Sequence, residues 1–159
     1  MRILVLSVGR LKAGPEKALC ERYHERSGPL ARSLGFGTVD LAELPESSAR
    51  NADQRKAEEA KALIARCGPG PVIVFDERGA SLTSEHVAHR FSTWRDSGEA
   101  GINLIIGGPD GLDVSVREAA ALVLSFGAMT MPHQIVRALV LEQVYRSLTI
   151  LARHPYHRV

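Results

Sequence analysis

Three short apolar runs constrain this chain more than anything else in it: "RILVLSVG" (2–9), "PVIVFDE" (71–77) and "INLIIGG" (102–108). Each is rich in β-branched residues, nearly continuous, and closed by glycine or charge. Runs of this kind predict strands buried on both faces, as in a parallel sheet covered by helices. A fourth segment, "TVDLAEL" (38–44), alternates and predicts a strand nearer the sheet edge. Between them lie helical stretches at 14–26, at 51–66 behind a capping Asn51, and at 84–96, where Ser84 is the expected N-cap. Strands alternating with such helices imply βαβ units and a doubly wound α/β fold. With 159 residues and no linker, repeat or low-complexity tract, one domain over 1–159 is expected.

The final third reads differently. Pro132 suits the first turn of a helix, and from Ile135 to Leu151 most positions are apolar. A helix apolar around most of its girth is buried on more than one side. Either its own domain or a dimer interface could cover it, and the sequence leaves both open.

Composition narrows the function classes. Apolar residues at 45% and charged residues at 24% are ordinary for a soluble globular protein. The net charge of +2 permits nucleic-acid binding without demanding it. No signal peptide opens the chain and no stretch approaches a membrane span, so a cytoplasmic protein is expected. Cys20 and Cys67 are isolated and read as small hydrophobes. His86 and His89 share a helix face but lack a third ligand, and no G-x-S-x-G elbow is present. Metal and covalent nucleophilic catalysis therefore have little support.

Two loops and the tail carry the remaining chemistry. "IIGGPDGL" (105–112) leaves a strand at its carboxyl end, where open α/β sheets place ligands, but it fits neither a dinucleotide fingerprint nor a P-loop. Gly107 and Gly108 would let backbone approach a ligand, although "PDG" is equally competent as a plain turn. "SFGAMTMPHQ" (125–134) offers backbone groups to a heterocycle and adaptable apolar walls in Met129 and Met131, which could instead fill core gaps. His133 could hydrogen-bond a substrate or cap the turn. The ending "RHPYHR" (153–158) combines a stackable ring in Tyr156, imidazoles in His154 and His157, and a planar fork in Arg158. These side chains suit an unpaired nucleotide.

Taken in order, "ILVLSVGRLK" (3–12), "NAD" (51–53), "IGGPDGL" (106–112), "GAMTMPHQIVRALVLEQVYRS" (127–147) and "RHPYHR" resemble the RlmH family along essentially the whole chain. These are SPOUT-class methyltransferases of large-subunit ribosomal RNA. The resemblance implies a parallel-sheet α/β fold with a C-terminal deep trefoil knot, the knotted cofactor-binding region covering about 102–159. It implies a homodimer that uses S-adenosyl-L-methionine to methylate N3 of a pseudouridine in the 23S RNA of the assembled ribosome, with no metal and no membrane. Carried onto this sequence, cofactor contacts fall on Phe75, Gly107, Gly108, Gly127, Ala128, Met129, Thr130, Met131 and Pro132. The catalytic, substrate-facing set falls on His154, Tyr156, His157 and Arg158. Gln134 and the extra Val159 depart from the family pattern, and the acceptor of the N3 proton is left unassigned. Two other functions stay open: an RNA-binding module without chemistry, and methylation of a different RNA.

Overall fold

The structure, a computed structural model, describes residues 1–158; Val159 lies outside the described residues. The chain runs β1 (Arg2–Val8), α1 (Pro15–Ser33), β2 (Val39–Leu44), α2 (Ala52–Arg66), β3 (Val72–Ala80), α3 (Ser84–Asp96), β4 (Gly101–Ile106), α4 (Val114–Glu118), β5 (Leu122–Leu124) and α5 (His133–Leu151). The strands form a five-stranded sheet in the order β2-β1-β4-β3-β5. Every pairing in it is parallel, with Ile3 opposite both Val39 and Ile102, and Ile73 opposite both Leu104 and Leu122.

The three apolar runs became β1, β3 and β4, and their burial explains their composition. All six residues of β4 are buried, as are all of β1 after Arg2. Edge strand β2 alternates, with Val39 buried and Leu41 42% exposed. Ile3, Val5, Ile102 and Leu104 meet α1, α3 and α5 on one face of the sheet. Leu4, Leu6, Val74 and Ile105 meet Ala60 and Leu63 of α2 and Val116 of α4 on the other.

Local chemistry sets the element ends. Asn51 caps α2 by accepting from the Gln54 backbone N–H at 2.8 Å. Helix α3 is capped by Thr83 rather than Ser84, whose hydroxyl donates to Gln143 Oε1 of α5 instead. Helix α1 runs on to Ser33, through Pro29. Pro29 and Glu25 are both exposed, a setting in which water can replace the helical donor that Pro29 lacks. Pro132 stands at the N-cap of α5, one position before the first turn. Strand β3 ends its regular ladder at Phe75, then bends and rejoins β5 at Ala80. Gly79 permits that approach, because a Cβ there would lie 2.5 Å from the Leu124 carbonyl carbon.

Helix α5 is covered by its own domain. It lies between α1 and α3 on the sheet, burying Val140, Leu141, Val144 and Leu148 completely or nearly so. Its one buried charge, Arg137, donates to Glu43 Oε1 at 2.5 Å and to the Gly9 carbonyl at 3.0 Å. The two cysteines are unpaired, and burial pushes both thiols above their ordinary range.

Candidate active site

The carboxyl ends of β3, β4 and β5 finish side by side, with Phe75 opposite both Ile106 and Leu124. The chain leaves β4 by the glycine loop and β5 by the methionine loop. Between these loops opens a cleft of about 340 Å³, the size class of small-molecule and cofactor sites. Phe75, Gly107, Gly108, Gly127, Met129, Thr130 and Met131 line it, as does His133 at the start of α5. Ala128 and Pro132 belong to the same loop but do not line the cleft. The Phe75 ring stacks on Phe126, centroids 5.3 Å apart, making one flat apolar wall. Met129 is 84% exposed, so it fills no core gap.

The glycine pair is fixed by packing as well as by access. A Cβ on Gly108 would sit 2.9 Å from Val8 Cγ1, and one on Gly107 would sit 2.8 Å from Leu112 Cγ. Gly111, at φ 82°, donates to the Gly108 carbonyl at 3.0 Å and closes the turn. The loop is then tied to α2 by a two-pronged ion pair, Arg55 Nε and Nη2 to the two Asp110 oxygens at 2.6 and 3.0 Å. Arg55 holds the Asp110 carboxyl below its usual range. Beneath the loop, burial raises Glu59, whose Oε1 accepts from the Ser47 N–H. Across the cleft, Arg117 bridges Asp76 at 3.3 Å and the Leu112 carbonyl at 3.0 Å. In the methionine loop, Gly127 at φ 129° donates to Ser125 Oγ at 3.0 Å. The backbone N–H groups of Ala128 to Met131 donate to no acceptor among the described residues. They are available to a ligand.

The terminal cluster forms elsewhere. After α5 the chain turns at Arg153, φ 53°, and folds back along the helix. The Tyr156 ring meets Tyr145 edge-on at 4.8 Å and lies under the Arg146 guanidinium at 4.9 Å. Its hydroxyl donates to Glu142 Oε1 at 3.0 Å and lies 3.3 Å from the Tyr23 hydroxyl. Burial and these partners raise the Tyr156 phenol well above its ordinary range. His157 reaches Glu85 Oε1 of α3 at 2.7 Å. His154 and Arg158 are exposed.

Sequence reasoning thus named two clusters that the fold keeps apart. Seven of the nine residues expected to hold cofactor share the cleft, while none of the four tail residues lines it. Sequence reasoning missed Asp76, Arg117, Arg55 and Asp110, which brace the cleft from four different segments and show no local spacing. It missed Glu142 as well, although Glu142 and Arg146 stand at the i,i+4 spacing of a helical ion pair. His86 and His89 are both exposed on α3. Among the described residues no three His, Cys, Asp or Glu side chains are grouped to hold a metal, and no helix is long and apolar enough to cross a membrane.

A family model described as "Predicted SPOUT methyltransferase" matches residues 1–157. A protein named ribosomal RNA large subunit methyltransferase H from Methylobacterium radiotolerans is 56% identical over 160 residues, covering 99% of this chain and 98% of that one. The chain belongs to the RlmH family of SPOUT methyltransferases. A relative of the same name from Beijerinckia indica is 50% identical, with 99% of each chain covered. Among solved structures, the SpoU methyltransferase AviRb from Streptomyces viridochromogenes, in complex with AdoMet, aligns with 90% of this chain and 56% of that one. Its TM-score is 0.41 at 13% identity, too distant a likeness to bear on function. Family membership coincides with the sequence resemblance along the whole chain.

Proposed function

We propose that this chain, working as one domain in a cytoplasmic homodimer, transfers a methyl group from S-adenosylmethionine to N3 of a pseudouridine in the large-subunit RNA of the assembled ribosome. The observation that carries the reading is the pairing of a cofactor-sized cleft with a nucleotide-reading arm outside it. Relatives bearing the large-subunit methyltransferase name over nearly their full length support the RNA target. The knot belongs to the same reading: β5 pairs with the far side of β3, while α5 returns to the face between α1 and α3.

The cleft fits the cofactor on its own terms. The free N–H groups of 128–131 suit the acceptor nitrogens of an adenine, and Phe75, Phe126 and Met131 give it apolar walls. Of the carboxylates on the lining, Asp76 and Asp110 are paired with Arg117 and Arg55, and Glu77 suits a cationic ligand. When bound, S-adenosylmethionine supplies a methyl group already activated by its sulfonium, so the chain needs no nucleophile.

The remaining work is positioning and charge. Holding two reactants in line is worth several kcal/mol of barrier. Arg158, exposed and with no hydrogen-bond partner among the described residues, suits the role of favouring the N3 anion or anchoring phosphate. Tyr156 keeps its proton and donates it to Glu142, so it orients the base and does not act as a base itself. Because the arm lies off its own cleft, a second copy's arm completes each site. Titration with S-adenosylmethionine by calorimetry, followed by methyl transfer to intact ribosomes with and without residues 155–159, tests this. Loss of transfer with retained cofactor binding is the expected result, and mapping the RNA from cells lacking the gene should show one missing methyl. Undiminished transfer by the truncated protein, or no detectable cofactor binding, refutes it.

A further inference from the structure

The terminal arm rests on two carboxylates, and only Glu142 belongs to the helix that carries the arm. The other, Glu85, comes from the first turn of α3. Its Oε1 stands 2.7 Å from His157 Nε2, and the ring's other nitrogen, Nδ1, lies 3.4 Å from Arg146 Nη1. An ionised carboxylate can only accept, so across the short Glu85 contact Nε2 must donate, and the longer Arg146 contact agrees, since a guanidinium can only donate. The proton of the neutral ring is then on Nε2, where Glu85 receives it. The Glu85 carboxylate lies below its usual range, with its own backbone N–H, Thr83 and His157 as the causes. The His157 side chain is only 15% exposed between them.

We propose that Glu85 is a positioning residue of the terminal arm, fixing His157 as the Nε2–H tautomer and locking the arm against α3. The inference rests on the reading that the arm faces the substrate. It sharpens that reading in one respect. With both ring nitrogens engaged, His157 offers the substrate no free basic nitrogen and orients the nucleotide without taking its N3 proton.

The tautomer can be read without any turnover. Full-length protein labelled with 15N-histidine gives long-range proton–nitrogen spectra in which each imidazole tautomer has its own pattern, with the His157 signal assigned by its loss in H157N. At a pH where the nitrogen shifts report a neutral His157 ring, the wild type should show it as Nε2–H alone. E85A should show a mixture of tautomers, and E85Q, whose amide oxygen still accepts, should restore the single form. Glu85 is half exposed on a first helical turn, so E85A leaves the fold intact. On ribosomes, kcat for E85A should fall at least about tenfold with cofactor affinity unchanged, and E85Q should recover most of it. An E85A protein that keeps the single Nε2–H form, or that turns over within about twofold of wild type, overturns the proposal. Should wild type methylate no ribosomal RNA, the functional reading fails, while the spectra still decide the role of Glu85.

Discussion

The Tyr156 hydroxyl donates to Glu142 Oε1 at 3.0 Å, joining residues 14 apart on a chain that has turned back on its own helix. The same carboxylate oxygen accepts from Arg146 Nε and Nη2, and its partner oxygen accepts from Gln143 Nε2. Y156F removes one donor from a carboxylate that keeps three others. It should cost about 1 kcal/mol in urea unfolding while lowering kcat far more than cofactor affinity. E142A strips the hub itself and should lower kcat further, as single-turnover assays would show.

The raised Tyr156 phenol makes a pH prediction with a definite sign. Its folded pKa lies above the unfolded value of about 10, so the folded state holds the proton longer. The stabilisation is complete below that pH and is lost as pH rises toward the folded value. Urea midpoints of wild type should therefore fall more steeply than those of Y156F above about pH 10.

Arg137 and Glu43 form an asymmetric pair, with side chains 7% and 40% exposed. E43A leaves a buried guanidinium without its counter-charge and should destabilise by about 3–5 kcal/mol. R137M leaves a carboxylate that water can reach, so its cost should be smaller. Equilibrium unfolding of both variants checks the order.

Gly108 has no room for a methyl group between Val8 and Glu59. G108A should cost about 1–3 kcal/mol from overpacking and weaken S-adenosylmethionine binding, because the loop must lift off β1. Thermal unfolding and calorimetry measure the two effects separately.

R55A tests the brace on the same loop from the other side. The Arg55–Asp110 pair is partly exposed, so its loss should cost less than about 1 kcal/mol of stability. Cofactor affinity should drop several-fold more in R55A than in a control such as K61A on the same helix. Calorimetric titration of both variants provides the comparison.

Much of the architecture was legible because its cause is local. The apolar runs at 2–9, 71–77 and 102–108 could satisfy their composition only as strands buried on both faces, and the alternation at 38–44 only at an edge. Strand β5 and helix α4 escaped notice, since three and five residues are too few to show a period. Pro29 sits inside α1 at an exposed position of that helix, a fact the proline itself does not reveal.

By itself the sequence determined four of the five strands, the parallel class, the two loops beside the cleft and the chemical character of the tail. Tertiary structure alone decided what covers α5, and it brought Tyr23 to Tyr156 across 133 residues and His157 to Glu85 across 72. Periodicity and turn chemistry act over a few residues and are written into the chain. Which faces meet depends on how the whole sheet and its helices close, and that is where the cleft and the arm were set apart.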